Sequence, residues 1–107
     1  MSLNELDPLL STPKKLAAIG MLANATQVEF AFIREHLELS DSDLSKQMRA
    51  LTEAGYVKAK KTGQGPTRKT WFRCTAAGRK AMHSHLAALN ALVLDSLPPP
   101  KGTADVN

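Results

Sequence analysis

The sequence predicts a mainly α-helical domain of the α+β class, with a three-helix core, a β-hairpin and a long last helix. Residues 39–57 combine an N-cap serine, a helical stripe of apolar residues and a glycine stop. Residues 56–74 alternate as two strands around a glycine-rich turn, and residues 76–94 repeat apolar side chains at helical spacing. The chain has 107 residues, of which 43% are hydrophobic. That composition suits one core, so we expect a single domain over residues 1–94.

Leucines recur at helical spacing near the amino terminus, at Leu3, Leu6, Leu9 and Leu10. Pro8 interrupts them, and proline lacks the N–H that a regular helix uses. We therefore predict a short irregular helix, and we expect it to lie against another element or a second subunit.

The first two core helices follow from local signals. Thr12 is placed as an N-cap and Pro13 as the first helical residue, so a helix is predicted from Pro13 to about Ala23. A short extended segment over Thr26–Glu29 leads into a second helix over Phe30–Leu37. The residues expected to point inward are Leu16, Ile19, Phe30, Ile33 and Leu37.

The third helix is predicted over about residues 41–54. Ser40 can accept an unpaired N–H of the first turn, and the acids Asp41 and Asp43 suit the positive end of the helix dipole. Gly55 stands where a left-handed residue ends a helix. The predicted buried stripe is Leu44, Met48 and Leu51.

The opposite face of this third helix is polar. At 100° per residue the outward residues are Ser42, Ser45, Lys46, Arg49 and Glu53, with Gln47 on the boundary. Hydroxyls followed by Lys and Arg suit a helix end inserted into a DNA major groove. The alternative is an ordinary surface helix with a solvated polar face.

Two strands are predicted at 56–62 and 69–74, joined by the turn at 63–68. Thr70, Phe72 and Cys74 alternate with Lys69, Trp71 and Arg73, which is the period of a two-faced strand. The glycines of the turn do not indicate a nucleotide loop, because no βαβ unit surrounds them. The hairpin is either a nucleic-acid contact or merely basic.

The last helix is predicted from the cap Thr75 to about Leu94. A small core cannot cover its whole apolar stripe, so we expect a second copy of the chain to do so, or else the chain's own amino-terminal segment. Residues 1–12 and 76–94 are therefore assigned to dimerisation, and 95–107 to a disordered tail. The predicted interface residues are Leu3, Leu6, Leu10, Met82, Leu86, Leu89 and Val93.

Charge is divided unevenly along the chain. Residues 42–80 hold ten Lys and Arg against two acids, a balance of +8, while the other residues hold four against eight, a balance of −4. These balances give the net charge of +4. A basic half that includes the third helix and the hairpin is what neutralisation of phosphates requires. The alternative is a basic face without a partner.

Residues 40–57 resemble the recognition helix of winged helix-turn-helix transcriptional regulators of the MarR/ArsR type, in particular short stand-alone ones. The likeness covers about 13–92, and Thr75-Ala-Ala-Gly-Arg79 resembles the start of their last helix, although Cys74 replaces the usual leucine. The resemblance implies a homodimeric repressor that binds double-stranded DNA, with the recognition helix in the major groove and the hairpin, or wing, on the backbone or minor groove. The expected DNA contacts are Ser42, Ser45, Lys46, Gln47, Arg49, Lys61, Thr67, Arg68 and Lys69.

We expect no enzymatic activity, cofactor or metal. His83 and His85 lie about 200° apart around a helix, so they cannot hold one ion from the same face. Cys74 is expected to be a buried small hydrophobe and His85 a packed interface histidine, with a sensor site built from them the lesser alternative. A single cysteine, no membrane span and an acidic amino terminus favour the cytoplasm. No effector is specified, and a protein-interaction or RNA-binding module remains the alternative function.

Overall fold

The computed structural model describes residues 3–96, with no side-chain description for residues 95 and 96. In chain order the helices and strands of this part are α1 Pro13–Ala23, β1 Val28–Glu29, α2 Phe30–Leu37, α3 Asp41–Glu53, β2 Val57–Thr62, β3 Lys69–Cys74 and α4 Ala76–Ser96. The predicted α+β architecture, with three core helices, a hairpin and a long last helix, is confirmed. Residues 95 and 96, expected in the tail, are the end of α4; the rest of that predicted tail, 97–107, lies outside the described residues.

The amino-terminal leucines form two separate 3₁₀ turns, Leu3–Glu5 and Pro8–Leu10. Pro8 opens the second turn, whose cap Asp7 accepts a hydrogen bond from the Leu9 N–H at 2.9 Å. A short irregular helix was predicted here, and its interruption coincides with the proline, as expected from the missing N–H.

The sheet is antiparallel, with β3 between β1 and β2. Directly paired residues lie on the same face of a sheet. Ala59 and Val28 are both paired with Phe72 on the inner face of the sheet, and Val28 and Phe72 pack in the core, whereas Ala59 is exposed. Lys60 and Glu29 are both paired with Trp71 on the outer face.

The core is formed by the inward faces of the helices and the inner sheet face. Leu44, Met48 and Leu51 of α3 are all buried, which confirms the predicted stripe. Ile19 and Ile33 are fully buried as predicted, whereas Leu16, Phe30 and Leu37 are only partly buried. The other buried apolar residues that pack in this cluster are Leu10, Ala18, Leu22, Val57, Phe72, Cys74 and Met82.

Two residues assigned to a dimer interface lie instead in the chain's own core. Leu10 is fully buried and Met82 is 8% exposed, so neither offers a surface to a second copy. The reason is that the amino-terminal segment packs on α4, where the Asp7 backbone N–H donates to His85 Nδ1 at 3.0 Å. His85 is therefore packed within the chain, and was wrongly expected at an interface.

The segment from Thr75 to Arg79 joins three elements. The Thr75 hydroxyl donates to the Gly55 carbonyl at 2.7 Å and accepts the Gly78 N–H at 3.0 Å, so it caps α4 as predicted. A Cβ at position 78 would collide with the Tyr56 carbonyl, which explains the glycine there. Arg79 donates to the Ala23 carbonyl at the end of α1, at 2.6 Å.

Candidate nucleic-acid interface

Helix α3 is fixed at both ends by the residues that the sequence indicated. The Ser40 hydroxyl accepts the Asp43 N–H at 3.1 Å, which satisfies one of the unpaired donors of the first turn. Gly55 adopts φ +80°, a left-handed conformation that glycine takes without the penalty of a Cβ. The helix therefore has a defined length and orientation above the core.

Four polar residues of α3 form a continuous exposed surface, which we call the exposed helix face: Ser42, Ser45, Lys46 and Arg49. Ser42 lies at the amino-terminal end, with its hydroxyl 3.3 Å from that of Ser40. Glu53 is also exposed, at the opposite end of the helix. The face thus presents small hydroxyls first and cations behind them, the arrangement suited to a groove.

Gln47 does not belong to this surface, contrary to the boundary position predicted for it. It is 7% exposed, and its amide Nε2 donates to Asp43 Oδ1 at 2.8 Å. Its Oε1 is buried without a hydrogen-bond partner among the described residues. The side chain therefore binds back along α3 to Asp43, which also pairs with Lys14 of α1.

The two acids in the first turn of α3 are neutralised by other helices. Lys14 Nζ lies 2.6 Å from Asp43 Oδ2, and Arg34 Nη1 lies 2.7 Å from Asp41 Oδ1. The hydrogen bond from Lys14, followed by that from Gln47, lowers the pKa of the Asp43 carboxyl below its ordinary value. The acids therefore retain their favourable position at the helix dipole without presenting unpaired negative charge beside the exposed helix face.

The wing and α3 lie on opposite sides of an open groove of about 290 Å³. Ser45 and Arg49 line it from the helix, and Lys61 lines it from the inner sheet face. Lys61 lies in β2 and is exposed, so its ammonium extends the cationic surface of the helix onto the sheet. One phosphate backbone could contact both elements there.

The wing turn is built around one side chain. Thr67 Oγ1 donates to the Gln64 carbonyl at 2.9 Å and accepts the Gln64 N–H at 3.2 Å. Gly63 adopts φ +76° beside it, where a Cβ would collide with the Thr67 carbonyl. Arg68 and Lys69 follow the turn and are exposed, whereas the hydroxyl of Thr67, predicted as a DNA contact, is used within the turn.

The remaining reactive side chains do not form a second chemical site. Cys74 is buried as predicted, and burial raises the pKa of its thiol. His83 is exposed, while His85 is 2% exposed and accepts the Asp7 N–H. Among residues 3–96, no group of three or more His, Cys, Asp or Glu side chains could hold a metal ion. No helix in the same part of the chain is both long and apolar enough to cross a membrane.

Known proteins share this fold. An uncharacterized protein of Methanocaldococcus jannaschii is 28% identical over 72 residues, which are 67% of this chain and 78% of that protein. A transcriptional regulator homologue from Pyrococcus horikoshii superposes with a TM-score of 0.76 at 24% identity, covering 83% of this chain and 89% of that one. Bacillus subtilis PadR, solved in complex with operator DNA, gives a TM-score of 0.59 at 20% identity, with 78% and 59% covered.

A family model described as a winged helix DNA-binding domain matches residues 15–93. These limits agree with the span of about 13–92 over which the sequence resembles winged helix-turn-helix regulators. The match covers every element described above except the amino-terminal turns, the start of α1 and the last residues of α4. The chain therefore belongs to the winged helix DNA-binding domain family.

Proposed function

We propose that this protein is a sequence-specific transcriptional repressor that binds double-stranded DNA as a homodimer. In this proposal α3 enters the major groove and the wing follows the backbone or the minor groove. The observation that carries it is the exposed helix face, which offers hydroxyls and cations while the acids beside it are paired within the chain. PadR, a protein of the same fold, was solved in complex with operator DNA, which supports binding to duplex DNA.

Ser42, Ser45 and Lys46 are proposed to lie deepest in the groove, since recognition helices usually present their amino-terminal halves to the bases. Arg49 then reaches a guanine or holds a flanking phosphate together with Lys61. Arg68 and Lys69 contact the backbone from the wing. We propose action in the cytoplasm, where the one cysteine would remain reduced.

Selection of bound sequences from random duplex DNA at two salt concentrations tests this function. The expected result is an inverted repeat whose half-sites lie about one helical turn apart. Repression is then tested with a reporter whose promoter overlaps the selected site, and expression should fall when the protein is present. No enrichment at either salt concentration would contradict sequence-specific binding.

The proposed dimer uses the part of α4 that the chain does not cover itself. Leu86, Leu89 and Val93 are 42%, 37% and 49% exposed and recur at helical spacing. Leu3 of the amino-terminal segment is 68% exposed and Leu6 is partly buried, so both remain candidates for the same surface. An apolar stripe of this kind on a small protein supports contact with a second copy.

Light scattering at tens of micromolar tests the dimer. Leu89→Asp should convert the protein to a monomer, because the interface would bury an unpaired charge. Ser84→Asp is the matched control, since Ser84 is exposed on the same helix about 140° away from Leu89. A monomeric wild type would exclude the dimer. If Leu89→Asp and Ser84→Asp had the same molar mass, the dimer interface would have to lie elsewhere.

A further inference from the structure

A second basic surface lies on the other side of the wing from the groove with α3. The sheet register pairs Lys58 with Arg73 and Lys60 with Trp71, so these four side chains share one face, the outer sheet face. The alternate residues Ala59 and Phe72 belong to the inner face. None of the four residues is among the proposed duplex contacts, which occupy α3, Lys61 and the wing turn.

The outer sheet face carries three cations and one acid, Glu29, whose partner on the neighbouring strand is Trp71. Lys58, Lys60 and Arg73 are all exposed, and none of them forms an ion pair within the described part of the chain. Lys58 lies directly opposite Arg73, and like charges in that position destabilise a sheet. A bound anion would relieve this repulsion, so the surface is suited to a negatively charged ligand.

An aromatic platform lies at the centre of this charge. Trp71 is half-buried, and its Nε1–H donates to Thr62 Oγ1 at 3.1 Å, which fixes the orientation of the indole. Phe32 of α2 is 58% exposed, although large apolar residues are usually covered. A shallow, open concavity of about 380 Å³ is lined by both rings and by Glu29.

The aromatic and cationic parts are contiguous. A second concavity, of about 240 Å³, is lined by Lys58, Lys60 and Arg73. It shares Trp71 and Gln27 with the concavity beside Phe32. A single ligand can therefore place a flat group against Trp71 and its negative charges against the three cations.

We propose that the outer sheet face binds single-stranded nucleic acid, with one base stacked on Trp71 and phosphates held by Lys58, Lys60 and Arg73. Aromatic side chains within a cationic groove bind unpaired bases with little sequence preference. Bases in a duplex are stacked on one another and are not free to stack on Trp71. This binding adds to the proposed duplex recognition and uses a separate surface, so either can fail without the other.

Trp71 is the only tryptophan of the chain, so its fluorescence reports directly on this surface. The probe is a fluorescein-labelled oligothymidine of about 12 nucleotides, within the usual site sizes of single-strand binding domains. Its binding, followed by anisotropy, should be accompanied by quenching of Trp71 emission. An abasic strand of the same length and charge should bind about tenfold more weakly and leave the emission unchanged.

Absence of binding, or binding of the oligothymidine without quenching, would overturn the proposal. Equal binding of the abasic strand would do so as well, because it would reduce the surface to a general polyanion contact. A duplex carrying the selected operator should leave Trp71 emission unchanged at saturation.

Variants separate this surface from the duplex interface. Lys58→Gln/Lys60→Gln should lower the salt slope for oligothymidine by about 1.4 units, at about 0.7 for each lost contact, and leave duplex binding as it was. Trp71→Leu should weaken oligothymidine binding about tenfold, whereas Trp71→Phe should retain it. Lys46→Ala should weaken operator binding alone. If Lys58→Gln/Lys60→Gln lost as much affinity for the operator duplex as for oligothymidine, a separate site would be refuted.

Discussion

Helix α3 and the wing are both cationic and exposed, but they are held in different ways. The helix is anchored by a buried stripe, the Ser40 cap, and the ion pairs that Lys14 and Arg34 make with its first turn. The wing turn beyond the sheet is held by hydrogen bonds of Thr67 to Gln64. Its Arg68 and Lys69 form no ion pair within residues 3–96.

This difference separates two uses of positive charge. A cation on a fixed helix meets the same atom of its ligand each time, which is a condition for discriminating one base from another. Arg68 at the end of the turn and Lys69 at the start of β3 have exposed side chains without ion pairs among the described residues, and such cations can follow a phosphate backbone without fixing a register. We therefore expect α3 to supply specificity and the wing to supply affinity.

The largest effect should come from Lys46→Ala. Each discriminating contact is worth about 1–3 kcal/mol, and a symmetric dimer uses the residue twice. Specific binding should therefore weaken by up to twice that amount, with much less change on random DNA. Competition binding on the selected operator and on a scrambled duplex measures this. Equal losses on both would make Lys46 a phosphate contact and transfer base reading to Ser42, Ser45 or Arg49.

A smaller effect is expected from Arg68→Ala/Lys69→Ala. The proposed dimer would lose two phosphate contacts in each protomer, so the salt slope should fall by about 3.6 units, at about 0.9 for each contact with duplex DNA. The ratio of operator to scrambled affinity should stay as in the wild type. Binding titrations over a range of salt concentrations give the slope. If the slope did not change, the wing would stand clear of the DNA.

A still smaller effect is expected from Arg34→Ala, which would leave the Asp41 carboxylate unpaired beside the exposed helix face. Repulsion of phosphate should weaken duplex binding by less than about tenfold, because the charge is exposed and screened by salt. Arg34→Ala/Asp41→Asn removes both charges and should restore most of the affinity. Failure of the double variant to recover would mean that Arg34 itself contacts DNA.

The smallest effect concerns stability in acid. Because the pKa of Asp43 is lowered in the folded state, its contribution to stability is present above the ordinary value of 3.8. It is lost as the pH falls through the lower folded value. Urea unfolding of wild type and Asp43→Asn should therefore differ at neutral pH and converge in strong acid. A difference that persisted unchanged at the lowest pH would show that the carboxylate charge is not the cause.

Local signals were sufficient for the ends of α1 and α3. Pro13, Ser40 and Gly55 act on the backbone next to them, so the sequence alone located the ends of α1 and α3 within a residue or so. The exposed helix face was also predictable, since it is the complement of a regular apolar stripe.

Contacts between distant segments were not predictable in this way. Leu10 was assigned to an interface because the sequence gives no sign that the amino-terminal segment packs against α1 and α4, and α4 begins more than 60 residues further along the chain. The pair of Lys14 with Asp43 spans 29 residues, and the periodicity of either helix gives no sign of it. Gln47 was misplaced for a different reason, since its partner Asp43 is only four residues earlier, and a boundary position turns inward or outward according to which partner its side chain binds.

The junction at Thr75 has a mechanical consequence. The Thr75 hydroxyl forms hydrogen bonds with Gly55, just after α3, and with Gly78 in the first turn of α4. The Thr75 N–H donates to the carbonyl of Tyr56, just before β2. With no side chain at Gly78, α4 rests directly on that backbone. The end of α3, the base of the wing and the start of α4 are therefore connected at Thr75. A tilt of α4 would turn the end of α3 and the base of the wing with it. In the proposed dimer, the angle between the two α4 helices would then set the distance between the two α3 helices.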